Sequence, residues 1–309
     1  MGQDLADRLL GLLRLLPAWP ILRALKQSSV EVTVRDPGSR ILSAPRPIAP
    51  YAAEHWQFAW LADAAYGKTP AGEQAQAFAN SSVQDPESAL KDAGWIKWAK
   101  FPDHNLRRII DAAHLRVEIW EKQSPPMIAV AFGGTIFGNR IDWRANLRWF
   151  LPKTPDEYST VVKAFAPAFV AELAEYLATG QTVPNPTLFS TGHSLGGGLA
   201  QQFAYCLEPH GAVPRVHKVY AFDPSPVTGF LSVDQGIRHA NQQGLLIDRI
   251  YERGEVLAVA RSVMSVFWRP SSRNPTIRGV RYSLFRTCNP IAGHSMARMA
   301  STLDAARRT

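Results

Sequence analysis

One short segment near the middle of the chain restricts its fold more than any other feature. Gly192-His193-Ser194-Leu195-Gly196 places a glycine two positions on either side of a serine. It directly follows a predicted strand, Thr187 to Thr191, and opens a predicted helix, Ser194 to Leu207. Glycines at these places let a strand and a helix approach around a strained turn without a Cβ clash. The segment therefore predicts a strand, a sharp turn that lifts the serine, and a helix.

The segments around this turn alternate between strand and helix patterns. Further strands are predicted at Leu115 to Glu121, Met127 to Phe132, Lys218 to Phe222, Leu246 to Tyr251 and Arg278 to Arg286, and further helices at Tyr51 to Tyr66, Asp156 to Ala178 and His294 to Ala306. The first two strands pair across the turn at Pro125-Pro126. This alternation predicts an α/β fold, a mostly parallel sheet with helices on both faces. In such sheets chemistry collects where the carboxyl ends of the strands meet their loops.

The pattern changes near residue 50. Residues 1–50 hold a leucine-rich amphipathic helix and then a connector broken by Pro45, Pro47 and Pro50. We therefore predict an N-terminal extension, 1–50, followed by one α/β domain, 51–309. The amphipathic helix is equally consistent with docking on the domain and with lying at a membrane interface.

The positive charge of the chain is concentrated at one end. The formal net charge is +8, and the segment from Arg261 to the C-terminus has nine arginines and a single acid, Asp304. No zinc-finger, RRM or KH pattern accompanies these arginines, so we expect no nucleic-acid partner. An anionic membrane or lipid-droplet surface is the partner that the charge favours, and a solvated basic face is the alternative.

Cysteine usage and the first residues bear on the compartment. Cys206 and Cys288 suit a reducing compartment, and one disulfide between them is the alternative. The apolar run Leu15 to Leu22 is too short to span a bilayer, and Asp4 and Asp7 depart from the basic start of a secretory signal. We expect a cytoplasmic protein, and peripheral association with a membrane is the alternative that stays open. No metal-binding motif is visible in the sequence, so no metal and no cofactor is expected.

The serine of the tight turn is a candidate nucleophile. The turn aims Ser194 Oγ at the start of a helix, where unpaired N–H groups and the helix dipole favour negative charge. Among the histidines only His294 follows the last predicted strand, in the chain order serine, acid, histidine expected for α/β folds with a serine on such a turn. A neutral imidazole near pH 7 can accept the serine proton and later protonate a leaving group. We expect His193 to pack beside the turn.

The same segments resemble those of class 3, fungal-type lipases, which have the α/β-hydrolase fold. Thr191 to Leu199 (TGHSLGGGL) resembles the nucleophile segment of that family, Val130 to Thr135 (VAFGGT) its oxyanion-hole strand, Asp63 to Tyr66 (DAAY) its N-terminal helix, Tyr220 to Gly229 (YAFDPSPVTG) the strand after the nucleophile helix, and Gly293 to Met296 its histidine loop. The similarity covers residues 51–309 and departs at Gly133, where an arginine is common. It implies an α/β-hydrolase with a serine-histidine-acid triad and no cofactor.

The resemblance also implies an oxyanion hole and a lid. The N–H of Leu195, together with the N–H and hydroxyl of Thr135, is expected to bind the oxyanion. Gly192 and Gly196 are expected to shape the tight turn at Ser194, the nucleophile elbow of this fold. Residues 136–150 interleave large apolar side chains with arginines. In the resembled family this segment covers the site, which predicts a mobile lid here. An amphipathic helix fixed on the core is the alternative.

Two carboxylates are candidates for the third triad member. Asp223 follows Lys218 to Phe222, in a Phe-Asp-Pro arrangement that resembles pancreatic-type lipases. Glu255 lies in Arg249 to Leu257 (RIYERGEVL), which resembles the class 3 segment that holds the catalytic aspartate. Glutamate for aspartate moves the carboxylate by about 1.5 Å, one C–C bond, and such triads exist on this fold. Because the other similarities are to class 3, the sequence favours Glu255, with Asp223 as the alternative.

Together these features predict a serine carboxylic-ester hydrolase that acts on lipid esters, as a lipase or phospholipase, through an acyl-enzyme. A soluble esterase for small esters is the alternative among enzymes. A non-catalytic binding module on the same fold is the alternative of a different class. Such a module would be expected to have lost Ser194, His294 or both candidate acids, and all of them are present.

Overall fold

The computed structural model describes residues 30–67, 84–134, 155–179, 183–226, 228–254, 270–285 and 294–309. In these ranges, strands β1 to β8 are Glu31–Arg35, Trp95–Lys97, Val117–Lys122, Met127–Phe132, Thr187–His193, Val216–Phe222, Leu246–Glu252 and Thr276–Ser283. Helices α1 to α8 are Ala49–Ala64, Pro86–Asp92, His104–Ala112, Pro155–Thr160, Ala166–Ala178, Leu195–Cys206, Gln235–Gln242 and Met296–Ala306. A π-helical turn, Val161–Phe165, joins α4 to α5, and a 3₁₀ turn, Phe230–Ser232, precedes α7.

The eight strands form a single sheet in the order β1-β8-β7-β6-β5-β4-β3-β2. Strands β4 to β8 are parallel, and β5 lies near the middle of the sheet. The edge strand β1 pairs with β8 in the antiparallel sense, as do β2 with β3 and β3 with β4. The predicted fold class, an α/β-hydrolase with a mostly parallel sheet, is confirmed. Its parallel strands bring their carboxyl ends to one edge.

Helices cover both faces of the sheet, as the alternation of patterns predicted. Side chains of β4 alternate between two cores, with Ile128, Val130 and Phe132 in one and Ala129 and Ala131 in the other. Helices α1, α2 and α8 supply the core that contains the two alanines, and α3, α5 and α6 supply the other. A strand that is buried on both faces appears in the sequence as a continuous apolar run, which explains why β4 was predictable.

Helix α1 packs on the sheet, and the residues that follow it lie close to the carboxyl end of β5. Its predicted position, Tyr51 to Tyr66, agrees with the observed Ala49–Ala64, and Pro50 lies at its first turn, where a missing N–H is harmless. Phe58 stacks on Tyr220 of β6 with ring centroids 3.9 Å apart, which fixes the helix on the sheet. The helix carries Asp63 in its last turn. The chain then leads directly to Tyr66.

The two edge strands of the sheet were not predicted from the sequence. Strands β1 and β2 are short and carry charged residues, so they lack the continuous apolar runs that identify buried strands.

Strand β1 belongs to the proposed extension 1–50 but extends the sheet beside β8, and the boundary at residue 50 stays a prediction. The predicted leucine-rich helix falls on residues outside the described ranges. None of the helices within the described ranges is long and apolar enough to cross a membrane.

A buried cluster of charged side chains joins α1 to the sheet. Lys218 of β6 and His55 of α1 contact Asp248 Oδ2 of β7 at 2.8 and 3.2 Å. Arg278 of β8 donates from Nε to Asp248 Oδ1 at 2.8 Å and from Nη2 to Glu54 at 2.9 Å. Burial by itself would raise the pKa of Asp248, but the hydrogen bonds from His55 and Arg278 and the charge of Lys218 hold that pKa well below its ordinary range.

We expect Asp248→Asn to lower the free energy of unfolding at pH 7 by about 3 kcal/mol, because Lys218 and Arg278 would lose the more buried of their two counter-charges and keep only Glu54. A carboxylate with a depressed folded-state pKa stabilises the protein above its unfolded pKa, about 3.9, and loses that effect as the pH falls further. In urea titrations, the difference in free energy of unfolding between the wild type and Asp248→Asn should therefore become smaller below about pH 4. Asp111→Asn, at an exposed position of α3, is the matched control. Equal urea midpoints for both variants at pH 7 would contradict the assignment.

Candidate active site

Ser194 lies on the sharp turn that the sequence predicts. Strand β5 ends at His193, and α6 begins at Leu195, so a single residue makes the connection. Its backbone has φ 57° and ψ −121°, a conformation that L-residues rarely adopt. The side chain is buried, and Oγ makes no hydrogen bond to any of the described residues. Backbone strain at a buried serine is typical of a functional site.

The glycines around Ser194 are required by close backbone contacts. A Cβ on Gly192 would overlap the carbonyl group of Gly196, and a Cβ on Gly196 would overlap that of Phe132. Gly133 is restricted in the same way, because a Cβ there would lie 2.5 Å from Ala65 O. The departure from the family pattern at this position is thus consistent with the local packing, which has no space for a larger side chain on this backbone.

The backbone of α6 and of the segment after β4 lies next to the turn. Leu195 is the first residue of α6, and the first N–H groups of a helix have no acceptor within the helix. Gly134 approaches from the end of β4, and a Cβ built on it would lie 3.3 Å from Ser194 Cβ. Thr135 follows Gly134 in the chain but lies outside the described residues, so the two-donor oxyanion hole stays a prediction.

The register between β5 and β6 puts a carboxylate next to the serine. His193 pairs with Phe222, so the residues that follow them, Ser194 and Asp223, lie side by side. Ser194 N–H donates to Phe222 O at 2.9 Å. Asp223 also has a positive φ, 38°, and its Oδ1 accepts a hydrogen bond of 3.1 Å from the N–H of Glu252. Two consecutive strand ends thus carry strained residues at one place.

His294 reaches the same place from the far end of the chain. It is buried and lies just before α8, whose first turn is capped by Ser295. His294 Nδ1 is 3.9 Å from Asp223 Oδ2. That separation exceeds a hydrogen bond, although catalytic contacts are often long in unliganded proteins and tighten with substrate. The structure therefore places the predicted base beside the alternative acid.

The favoured acid, Glu255, lies outside the described residues, as does the predicted lid, 136–150. A different glutamate is prominent in the structure. The buried carboxylate of Glu252 accepts hydrogen bonds from the N–H groups of Leu284 and Phe285 at 3.0 and 3.1 Å. These amides therefore do not continue the ladder of β8, which ends at Ser283 although the sequence pattern extended it to Arg286. Glu252 fixes the chain where it leaves the sheet.

A second imidazole adjoins the cluster. His193 lies beside the turn as expected, with its ring centroid 4.5 Å from that of His294. Its Nε2 is 4.0 Å from Asp223 Oδ2, and its Nδ1 is 2.6 Å from the hydroxyl of Tyr66. Tyr66 was not among the site residues predicted from the sequence. The only hint was its place at the end of the Asp63-Ala-Ala-Tyr66 segment.

Two groups within the described ranges could in principle offer three metal ligands within 4.8 Å of one another. In the group Glu54, His55 and Asp248, the carboxylates already pair with Lys218 and Arg278. The second group is His193, Asp223 and His294. One carboxylate and one imidazole next to a serine are also the groups that proton transfer from a hydroxyl uses, and this cluster has a second imidazole in addition.

A buried acid, Asp63, lies in the last turn of α1, shortly before Tyr66, and is not part of this cluster. Burial, with a smaller contribution from the charge of Asp85, raises the pKa of Asp63 to about 7. Asp63 Oδ2 makes no hydrogen bond to the described residues. A buried carboxylate without a partner is costly in its charged form, and the protonated form is therefore favoured.

We expect Asp63→Asn to stabilise the protein more at pH 8 than at pH 5, by about 2 kcal/mol. The folded-state pKa lies above the unfolded value of about 3.9, so the folded chain holds the proton more tightly and wild-type stability falls as the pH rises toward 7. Asparagine cannot ionise and removes this decline. Urea titrations at both pH values give the difference, with Asp111→Asn as a control. A gain that does not depend on pH would contradict the raised pKa.

No protein-family profile and no curated protein sequence matches the chain. Among solved structures, the chain is similar to the native propeptide complex of Rhizomucor miehei lipase, with 14% identity and a TM-score of 0.41 over 73% of this chain and 65% of that chain. A deletion mutant of that complex aligns with 15% identity and a TM-score of 0.40, over 69% of this chain and 64% of that one. A fungal lipase–inhibitor complex, presented as a model for interfacial activation in lipases, aligns with 15% identity and a TM-score of 0.40. The alignment covers 71% of this chain and 73% of that chain. The chain thus spans slightly less than two thirds of the first two structures' length.

Proposed function

We propose that this protein is a serine carboxylic-ester hydrolase that acts on lipid esters. One observation carries the proposal: a buried serine in a strained turn, at the start of a helix, lies beside a carboxylate that is 3.9 Å from an imidazole. A serine hydroxyl is a weak nucleophile until an oriented base removes its proton. The three groups in this arrangement supply a nucleophile, a general base and an orienting charge.

In the proposed reaction, His294 accepts the proton of Ser194 as Oγ attacks the ester carbonyl carbon. Asp223 faces Nδ1 of His294, which leaves Nε2 as the nitrogen that takes the proton. The tetrahedral intermediate then collapses, and the imidazolium returns the proton to the departing alkoxide oxygen. Water, deprotonated by the same imidazole, then attacks the acyl carbon, and the imidazolium returns the proton to Ser194 Oγ as the bond to the acyl group breaks and the acid is released. The carboxylate stabilises the imidazolium in both steps without itself taking the proton.

The oxyanion is proposed to be bound by backbone N–H groups. Leu195 supplies one from the first turn of α6, and Thr135 supplies the other, with its hydroxyl, by resemblance to class 3 lipases. The position of Gly134 next to Ser194 supports this role, because Thr135 is the next residue. Preorganised donors of this kind are typically worth about 3 kcal/mol each in the transition state.

The proposed substrate class rests on the resemblance to class 3 lipases and on the segment 136–150, which we propose as a lid that opens at a lipid surface. We also propose an anionic membrane or lipid-droplet surface as a partner. Arg278 pairs with Asp248, and Arg307 and Arg308 pair with Asp304. These internal pairs neutralise part of the C-terminal charge, so surface attraction depends on the remaining arginines.

A panel of esters tests the proposed function. We expect hydrolysis of triacylglycerols or phospholipids to exceed that of short p-nitrophenyl esters, because a lid favours substrates that form an interface. With a short triglyceride, the rate should rise abruptly at its solubility limit. Smooth saturation with a preference for soluble esters would establish the small-ester esterase instead. The absence of hydrolysis across the whole panel would favour a non-catalytic binding module.

A further inference from the structure

We propose that Tyr66 is a positioning residue of this site, which acts by holding His193 against the Asp223 carboxylate. The inference rests on the proposed function, because the position of Asp223 affects catalysis only if that carboxylate orients His294. Tyr66 follows α1 and lies more than a hundred residues before the turn in the sequence. Its hydroxyl nevertheless contacts the residue that immediately precedes the nucleophile.

The contacts form a chain that ends at the carboxylate. Tyr66 Oη lies 2.6 Å from His193 Nδ1, the shortest step of the chain. The other ring nitrogen of His193 is 4.0 Å from Asp223 Oδ2, and His294 Nδ1 is 3.9 Å from the same oxygen. One carboxylate oxygen therefore faces an imidazole nitrogen from each of two residues. The orientation of the His193 ring decides which atom it presents to Asp223.

The tautomer of His193 follows from these partners. A nitrogen that faces a carboxylate is stable there when it carries a proton, which places N–H at Nε2 and leaves Nδ1 as an acceptor. Tyr66 must then donate to Nδ1. Burial raises the pKa of Tyr66 well above its ordinary value, so the hydroxyl keeps its proton at neutral pH. Removing the hydroxyl would leave Nδ1 buried without this donor, and the other tautomer would become accessible.

The hydroxyl of Tyr66 is itself fixed by the end of β4. A Cβ on Gly134 would lie only 2.5 Å from Tyr66 Oη, so the backbone passes directly over the hydroxyl. Arg116 holds the same segment from another side, because its Nη1 donates to Gly134 O at 3.1 Å. Tyr66 thus lies between the chain that leads to Thr135 and the imidazole that faces Asp223. Both proposed parts of the site depend on its position.

The test is a double-mutant cycle on Tyr66 and His193. Tyr66→Phe removes only the hydroxyl, and we expect kcat to fall about 10- to 100-fold, with KM changed less than about twofold, since misplaced catalytic groups affect the chemical step. His193→Gln places a non-titrating amide near the position of Nε2 and should retain more activity than His193→Ala. Tyr66→Phe should have no further effect in the His193→Gln background, because its acceptor is gone. Tyr205→Phe, a buried tyrosine away from the turn, is the matched control.

The outcomes separate this inference from the proposed function. The role of Tyr66 would be overturned if Tyr66→Phe had the kcat of the wild type. It would also be overturned if the fold-loss of kcat in the double variant equalled the product of the fold-losses in the two single variants. In both cases the proposed ester hydrolase activity would be unaffected. A wild-type protein that neither hydrolyses esters nor reacts with a fluorophosphonate would overturn the proposed function itself. Thermal melting of each variant checks folding, and His193→Gln still tests the chain of contacts if Tyr66→Phe does not fold.

Discussion

Replacing Ser194 by alanine is expected to abolish labelling by a fluorophosphonate probe and to lower kcat by about 10⁶-fold. Such probes react only with serines whose hydroxyl is activated by a base. A residual rate over water is expected, because loss of a nucleophile leaves oxyanion stabilisation and substrate binding in place. Gel fluorescence of the labelled protein and ester hydrolysis by the same preparations give the two readouts.

Ser190→Ala is the matched control for this experiment. Ser190 lies on the same strand, β5, is equally buried, and donates its hydroxyl to Ala200 O at 3.0 Å. Its backbone belongs to the regular strand, unlike the strained turn at Ser194. We expect full labelling of this variant. Labelling that persists in Ser194→Ala would show that another residue is the nucleophile, and the proposed mechanism would then fail.

Asp223→Asn is expected to lower kcat by up to about 10⁴-fold, whereas Glu255→Gln should retain most activity. An amide in place of the orienting carboxylate stabilises the wrong tautomer of the base and leaves the imidazolium without its charge. We expect the larger loss in Asp223→Asn because His294 Nδ1 lies 3.9 Å from Asp223 Oδ2. Resemblance to class 3 lipases leads to the opposite order, so the two variants discriminate between the assignments.

Folding must be checked separately for Asp223→Asn, because Asp223 also accepts a hydrogen bond from the N–H of Glu252. Asparagine keeps an oxygen that can accept this bond, and the thermal midpoint is expected to change little. Loss of turnover in Glu255→Gln with Asp223→Asn largely active would identify Glu255 as the acid. In that case Asp223 would be a structural acceptor at the end of β6.

The local parts of this protein could be predicted from its sequence. Runs of apolar residues located the central strands, and β4 was found at the predicted Met127–Phe132. The glycine pattern around Ser194 identified the turn, since only glycine tolerates the backbone contacts that the structure has there. His294 was selected by its order in the chain. The strand and turn predictions needed only neighbours along the sequence, because the physical constraints behind them are local, whereas the choice of His294 used the order of segments along the chain.

The partners of the candidate catalytic groups could not be predicted in the same way. Which carboxylate lies beside His294 depends on the register between β5 and β6 and on the path of the chain after β8, and both are set by packing between distant segments. The same applies to Tyr66, whose hydroxyl meets His193 because α1 docks on the sheet through contacts such as Phe58 with Tyr220. The sequence by itself determined the fold class and the position of the strained turn that carries the candidate nucleophile, Ser194. Only the tertiary structure decided which side chains surround it, because side-chain distances across a sheet follow from long-range packing, which no local pattern encodes.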